Sequence, residues 1–444
     1  MVILGLGSNV GDRMANLRKA LIAIRQIPGM IVEQVSPVYL SDALLPENAP
    51  PEWDMPHLNL ALRCHTTLEP LDLLDQLKKI EWSIGRKPEV RHWGPRILDV
   101  DILAWNSDII KSERLTVPHE SLQERPFALW PLADVAPDWR FPLNGPYHDK
   151  TAAEIGEQWG SRFTGNAPLR ARQIYQRIDT PQLMGVVNVT PDSFSDGGAF
   201  LEAEKALQQA LYLVYSGAEI IDIGAESTAP SAKPLTADIE WQRLEPVLAA
   251  IQAAKDKFMI LPKISIDTRH SEVAAKALKQ GVDWINDVTG LEDEAMRELV
   301  CTSKADCVVM HHMSIPASRQ HVLPRHQDPV RLVYEWGAKQ IDVLEKAGIS
   351  RERIIFDPGI GFGKVAEHSL QLIRHTDVFK QLGTRVLIGH SRKSFLSLFT
   401  PHTFAERDIE TLSIALYLAK QPVDYLRVHN VEMCARGFRV QAAL

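Results

Sequence analysis

Cysteine is scarce in this chain. The 4 cysteines among 444 residues, Cys64, Cys301, Cys307 and Cys434, are too scattered for a disulfide framework or a zinc knuckle, and a reducing compartment fits. Long apolar runs are missing, so no window reaches the length of a membrane span. The opening residues, MVILGLGSNVGDR, lack a basic stretch ahead of an apolar core. No secretory signal is read there, and a cytoplasmic location is expected. Low-complexity tracts are absent. An excess of positive charge is absent too: the net charge is −7, whereas a nucleic-acid partner favours a basic surface. Small-molecule substrates are therefore expected, without nucleic acid or membrane as partners. What is present, 45% hydrophobic and 24% charged residues, is an ordinary globular composition, with length for two or three domains.

The chain is organised around Met184 to Gly198, MGVVNVTPDSFSDGG. Leu183, Met184, Val186, Val187 and Val189 form a buried-strand pattern. It opens into a polar loop with Asn188, Thr190, Asp192, Ser193 and Ser195, and a helix-like segment begins near Leu201. A strand that delivers polar side chains at its C-terminal end, then runs into a helix, is the repeat unit of a (β/α) barrel. The rhythm continues in strand-like runs at 183–189, 219–223, 263–266, 284–288, 307–310, 353–356, 385–388 and 425–428, with helical stretches such as 201–215, 239–255, 271–279, 329–346 and 406–419 between them. Eight strands over about 265 residues match an α/β TIM (β/α)8 barrel. A doubly wound open sheet is the alternative, but no nucleotide fingerprint accompanies it.

Polar residues fall at every strand end: Asn188; Glu226-Ser227-Thr228; Asp267-Thr268-Arg269; Asn286-Asp287; Met310-His311-His312; Asp357-Pro358-Gly359; His390 to Ser394; Arg427-Val428-His429-Asn430. Eight such ends in succession place acids, amides and cations around one mouth. Two signals mislead. Gly359 to Lys364 looks like a phosphate-binding loop, but its glycine spacing is one short and Val365 stands where Ser or Thr belongs. His311-His312 looks like a metal pair, yet successive strand residues face opposite ways, and hydrogen-bonding roles are expected.

The first third reads differently. Strand, helix, strand, strand, helix, strand (2–6, 14–26, 31–39, 58–64, 70–84, 98–103) is a βαββαβ order, an α+β domain with an antiparallel sheet. Gly5 to Gly11 fails as a dinucleotide loop because Val10 occupies the third glycine position. Chemistry concentrates in 85–103, GRKPEVRHWGPRILDVDIL. Strand alternation puts Asp99 and Asp101 on one face, where two carboxylates repel unless a cation sits between them. Hard oxygen ligands of this kind suit Mg²⁺. Arg86, Arg91, His92 and Arg96 precede them, and Arg114, His119 and Arg125 follow. Cations converging on such a pair are what phosphoryl-type transfer requires. Residues 154–180 lose strand character; the expected layout is a first domain over 1–160, a linker over 161–178 and the barrel over 179–444.

The strings Gly7-Ser8-Asn9, Leu58-Asn59, Trp93-Gly94-Pro95-Arg96-Ile97-Leu98-Asp99-Val100-Asp101 and Leu115-Thr116-Val117-Pro118-His119 resemble 6-hydroxymethyl-7,8-dihydropterin pyrophosphokinase. The resemblance implies a ferredoxin-like fold and transfer of pyrophosphate from the co-substrate MgATP to the pterin hydroxymethyl group. It implies Mg²⁺ on Asp99 and Asp101. Arg96, Arg114, His119 and Arg125 would contact ATP, Asn59 would read the pterin edge, and Phe127 would stack on the ring. Departures are His57 in the place of a second aromatic, Pro88 where a loop arginine is usual, with Arg91 near, and a longer loop over 41–56.

The region from 182 onward resembles dihydropteroate synthase through 188–198, Glu226-Ser227-Thr228, 357–364, Ser391-Arg392-Lys393-Ser394 and Arg427-Val428-His429. That implies condensation of dihydropterin pyrophosphate with p-aminobenzoate. Asp267, Asn286, Asp357, Lys393 and Met310 would hold the pterin. Arg427, His429 and Asn188, the last with a metal, would serve the pyrophosphate. Thr228, Phe362 and Ser394 would frame p-aminobenzoate. Ala229 stands where arginine is usual, with Lys233 a possible replacement. The resemblance also suggests a homodimer through the barrel. Alternatives are one half turned into a silent pterin-binding module, or a folate-dependent methyltransferase barrel, which the Ser391–Ser394 and Thr190–Ser193 strings disfavour.

Overall fold

The computed structural model describes all residues except 87–93, 175, 190–197, 227–233, 259, 319 and 444. The chain divides into two compact units, Met1–Asp179 and Thr180–Leu444. Among the described residues, no helix is long and apolar enough to cross a membrane.

The first unit has a mixed-length antiparallel sheet. Its strands are β1 (Val2–Ser8), β2 (Met30–Val35), β3 (Tyr39–Ser41), β4 (His57–Thr66) and β5 (Asp99–Trp105), with a small hairpin of β6 (Ile110–Lys111) and β7 (Thr116–Val117), and β8 (Arg172–Gln173) at the far edge. The order β5-β1-β4-β3-β8, with β2 also on β4, is the expected ferredoxin-like arrangement with an added edge. Helix α1 (Arg13–Arg25) is capped by the Asp12 side chain. Helix α2 (Pro70–Ile84) starts on proline and ends at left-handed Gly85, the two punctuation marks a helix favours. Leu74, Leu77 and Ile80 turn inward.

Two expectations are corrected here. Residues 31–39 do not make one strand, because Pro37 lacks the N–H that the ladder needs. Ser36 bridges the break: its N–H donates to the Ala61 carbonyl and its Oγ accepts from the Ala61 N–H at 2.9 Å. Residues 161–178 are not a linker. Arg172 and Gln173 pair at the sheet edge, opposite Leu40 and Tyr39, and Ile174 and Ile178 are buried. The arginines and glycines there disguised an edge strand only two residues long.

The second unit is a closed barrel of eight parallel strands, β9 (Gln182–Asn188) to β16 (Tyr425–Val428), in sequential order with β16 closing on β9. The strands between are Ile220–Gly224, Lys263–Asp267, Trp284–Asp287, Asp306–Met310, Ile354–Asp357 and Arg385–Ile388, numbered β10 to β15. Helices at 294–302, 366–374 and 431–443 join those expected. An inner apolar layer consists of Met184, Ile220, Trp284, Val308, Ile355, Leu387 and Tyr425. Because side chains alternate along a strand, the residues two positions further on also face inward. That step leads from Ile220 to Asp222, Trp284 to Asn286, Val308 to Met310, Ile355 to Asp357, Leu387 to Gly389 and Tyr425 to Arg427. Four of these steps reach an acid, an amide or a guanidinium, while Met184 leads to Val186 and the steps to Met310 and Gly389 add no charge, so the polar layer is built by some strands and not all.

Candidate active sites

In the first unit a cavity of about 730 Å³ opens beside β1, β4 and β5. It is lined by nine of the site residues expected in this half: His57, Asn59, Arg96, Asp99, Asp101, Arg114, His119, Arg125 and Phe127. The end of β1 secures its floor. Asn9 and Arg96 exchange two backbone-directed hydrogen bonds, Arg96 N–H to Asn9 Oδ1 at 2.6 Å and Asn9 N–H to the Arg96 carbonyl at 3.1 Å. Ser8 Oγ donates to the Ile97 carbonyl at 2.6 Å. A Cβ on Gly7 would lie 3.2 Å from Asn59 Oδ1, so the glycine lets β1 approach that amide.

The two aspartates differ. Asp99 accepts from Arg86 Nη1 at 2.6 Å and Arg96 Nη1 at 2.5 Å. Burial opposes its ionisation, but Arg96 and Arg86 hold its carboxyl below its ordinary value. Asp101 accepts no hydrogen bond among the described residues; His119 Nε2 lies 3.9 Å away. Burial and then the Asp99 charge push Asp101 up to about 6. A carboxylate with open lone pairs beside a second carboxylate fits a hard divalent cation, which would relieve that repulsion. Arg114 pairs with Asp75 at the rim. Burial lowers His57 to about 4, so its ring is neutral at pH 7, which suits a flat stacking surface.

Sequence reasoning passed over Glu81. It lies on the inward face of α2, fully buried, and accepts from the Val100 N–H at 2.7 Å, Lys78 Nζ at 2.7 Å and Arg86 Nη1 at 2.5 Å. It therefore fixes both β5 and the arginine that holds Asp99. A glutamate four residues after Leu77, on the apolar stripe, was the available signal.

At the barrel mouth the charged layer is already knitted together. Arg427 Nε donates to Asp222 Oδ2 at 2.6 Å and Arg427 Nη2 to Asp267 Oδ2 at 3.0 Å. Asn286 Nδ2 and Ser265 Oγ donate to Asp222 at 3.1 and 2.6 Å. Two carboxylates thus share one guanidinium. Burial and the Asp222 charge raise Asp267 to about 7, outweighing the Arg427 ion pair. Burial lowers Lys393 to about 8 against the pull of Asp357. Lys393 Nζ donates to the Ile360 carbonyl at 2.6 Å and lies 4.6 Å from the centre of the Phe362 ring. A Cβ on Gly389 would be 3.8 Å from both Asp357 Oδ2 and Lys393 Nζ and 4.0 Å from the Arg427 Cβ. Those three residues therefore converge on one spot.

The glycine loop after β14 folds tightly against the end of β13. Gly359 has φ 67°, and a Cβ there would meet the His311 carbonyl oxygen at 1.8 Å, so only glycine fits. Buried Lys364 donates to that carbonyl at 2.8 Å and lies 2.7 Å from His311 Nδ1. The hydrogen-bonding expectation for His311 is met through this lysine. Burial and the Lys364 charge push the His311 ring down to about 2. His429 pairs with Ser391 Oγ at 2.9 Å. Met310 is buried opposite Asp357 in the ladder. Asn188 ends β9 exposed, and Ser394 is exposed where a short 3-10 turn begins. Thr228, Ala229, Lys233, Pro88 and Arg91 lie outside the described residues. Asp222 was missed; its signal was one aspartate inside the run Ile220-Ile221-Asp222-Ile223-Gly224.

Residues 3–137 match the family model described as 7,8-dihydro-6-hydroxymethylpterin-pyrophosphokinase, and residues 184–429 match that of the pterin binding enzymes. A folate synthesis bifunctional protein of Chlamydia muridarum is 38% identical over 97% of this chain and 95% of its own length. The chain belongs to the family of bifunctional folate synthesis proteins. An Arabidopsis thaliana member is 34% identical over 97% of this chain and 93% of its own length. The barrel resembles solved structures as well. Dihydropteroate synthase of Anaplasma phagocytophilum, with bound 6-hydroxymethylpterin-monophosphate, is 39% identical at a TM-score of 0.53 and covers 59% of this chain and 98% of its own. That of Xanthomonas albilineans with 4-aminobenzoic acid is 34% identical at 0.54, covering 60% of this chain and 93% of its own.

Proposed function

We propose that the two sites divide two consecutive reactions between them, with the residues acting as follows. The chain is a bifunctional transferase of folate synthesis: it pyrophosphorylates 6-hydroxymethyl-7,8-dihydropterin from ATP, then condenses the product with p-aminobenzoate to dihydropteroate. In the first reaction the pterin hydroxyl oxygen bonds to the β-phosphorus of ATP, the bond to the α-phosphate oxygen breaks, AMP leaves and the hydroxyl proton is released. Asn59 pairs with the pterin edge through its amide, and His57 and Phe127 cover the ring faces. Arg96, Arg114, His119 and Arg125 neutralise the phosphates. Asp99 and Asp101 would hold Mg²⁺, which supplies positive charge to the transferring phosphates when bound.

In the barrel, Asp267, Asn286, Asp357 and Lys393 bind the pterin, with Met310 beneath it. The carbon–oxygen bond to pyrophosphate breaks, and the amine of p-aminobenzoate forms the new carbon–nitrogen bond and gives up a proton. Ionised Asp267 and Asp357 favour positive charge on the pterin as the leaving group departs. Arg427 and His429, with Asn188 toward a metal, take the pyrophosphate. Thr228, Phe362 and Ser394 frame p-aminobenzoate.

The observation that carries this reading is convergence: nine expected residues line one cavity, and an inward-facing charged layer crowns the barrel. The test is to run each step alone. AMP release should need both the pterin and a divalent cation. Pyrophosphate release from dihydropterin pyrophosphate should need p-aminobenzoate. Release of AMP without pterin would contradict the first assignment, and pyrophosphate release indifferent to p-aminobenzoate the second. We also place the protein in the cytoplasm, although one Arabidopsis relative is described as mitochondrial, and as a homodimer. Exposed Ile409, Tyr417 and Val440 on the last two barrel helices support the dimer, and light scattering of the purified chain checks it.

A further inference from the structure

The edge segment 161–174 reaches the N-terminal cavity through a continuous set of bonds. The Leu169 carbonyl accepts the Asp42 N–H at 2.7 Å, and Arg170 Nε donates to Asp42 Oδ2 at 2.6 Å. Next in the chain is Ser41, whose Oγ accepts from Asn59 Nδ2 at 3.1 Å. Ser41, Asp42 and Asn59 all line the cavity. Ser41 and Asn59 are 2% and 8% exposed, so no water-filled slack separates them.

The segment is itself fastened. Ile174 N–H donates to the Val38 carbonyl at 2.9 Å, and buried Arg177 donates to the Val35 carbonyl at 2.5 Å. Arg162 pairs with Asp134, which also accepts from the Tyr39 hydroxyl at 2.6 Å. Between these anchors Leu169 and Arg170 sit at φ 62° and 42°. Two successive non-glycine residues in the left-handed region are strained, and such strain persists where surrounding contacts over-determine it. Here the turn is what aims one carbonyl and one guanidinium at Asp42.

We propose that residues 169–174 are a positioning strap for the pterin end of the pyrophosphokinase site, acting through Asp42 and Ser41 on Asn59. Arg170 touches no reacting atom; it fixes the wall against which Asn59 is set. The strap leaves the phosphate end alone, because Arg96 is held by Asn9 and Asp99 by Arg96 and the Glu81-bound Arg86. This inference rests on reading the cavity as the pyrophosphokinase site.

The test uses the full chain and three variants: Arg170→Met, Arg170→Lys and Ile174→Pro. AMP release gives KM for the pterin, KM for ATP and kcat. Arg170→Met should raise the pterin KM about threefold, as an exposed ion pair allows, with the ATP KM unchanged and Arg170→Lys restoring most of the loss. Ile174→Pro removes the N–H bonded to Val38 and should raise the pterin KM about tenfold. Should it unfold the unit, Arg170→Met, at a side chain 81% exposed, still decides. Unchanged pterin KM, or pterin and ATP KM rising in step, overturns the strap. A wild-type chain that releases no AMP overturns the cavity reading and the strap with it.

Discussion

As proposed, the two sites solve the same problem, recognition of a pterin next to a pyrophosphate, in opposite ways. The N-terminal cavity leaves its central carboxylate open: Asp101 accepts no hydrogen bond among the described residues, and its neighbour Asp99 is held by arginines. The barrel mouth is closed on itself: Asp222, Asp267, Asn286 and Arg427 are already bonded to one another. The first arrangement invites a cation and a polyphosphate to complete it. The second is preorganised, and a ligand must replace bonds that exist. Charge repulsion is stored in one site and spread through a network in the other.

Several substitutions should sharpen this contrast. Asp101→Ala should reduce AMP formation about a thousandfold by removing an oxygen donor for the cation and leave dihydropteroate formation from supplied dihydropterin pyrophosphate intact. Lys393→Ala should do the reverse, with a loss of about a hundredfold or more in the synthase step. Equal loss of both reactions in either variant would erase the division between the sites. Asp222→Ala should cost less activity, about tenfold to a hundredfold in synthase kcat/KM, by freeing Arg427 and Asn286. It should also destabilise the barrel by about 1–3 kcal/mol in denaturant unfolding, because it leaves the half-buried Arg427 guanidinium with one carboxylate and strips Asn286 and Ser265 of their acceptor. The comparison fails if Asp101→Ala destabilises its own unit as much.

The smallest effect expected is in the pH profile. With Asp267 raised to about 7, acid should protonate it and remove the pterin's acceptor, so synthase kcat/KM falls below pH 7. With Lys393 lowered to about 8, the charge on Nζ is lost above that, giving a narrow bell. Stability runs the other way for Asp267. Its folded value lies above the ordinary carboxylate value of about 3.9, so its contribution is complete below pH ~4 and lost as pH rises through about 7. Asp267→Asn should abolish the acid limb; an acid limb that survives assigns it to another group.

Much of this was legible in the sequence, for identifiable reasons. Short apolar runs set between period-3.6 stretches marked the eight barrel strands, because parallel strands buried on both faces leave near-continuous apolar runs. Asp99 and Asp101 were legible because two acids alternate within an apolar strand. Asp222 was not, because it lies in the middle of β10, between apolar neighbours, and not at the strand's polar end. Glu81 hid on an apolar helix stripe. The edge strand Arg172–Gln173 hid in a stretch rich in arginine, since its pairing with β3 depends on backbone bonds between residues more than 130 positions apart, which no local pattern encodes.

One measurement tests the central claim that two independent sites perform consecutive steps. Asp101→Ala and Lys393→Ala chains are given MgATP, 6-hydroxymethyl-7,8-dihydropterin and p-aminobenzoate, first separately and then mixed, and AMP and dihydropteroate are followed. The account predicts AMP without dihydropteroate from Lys393→Ala, neither product from Asp101→Ala, and both products from the mixture. Dihydropteroate from Lys393→Ala alone, or AMP from Asp101→Ala at the wild-type rate, would contradict it.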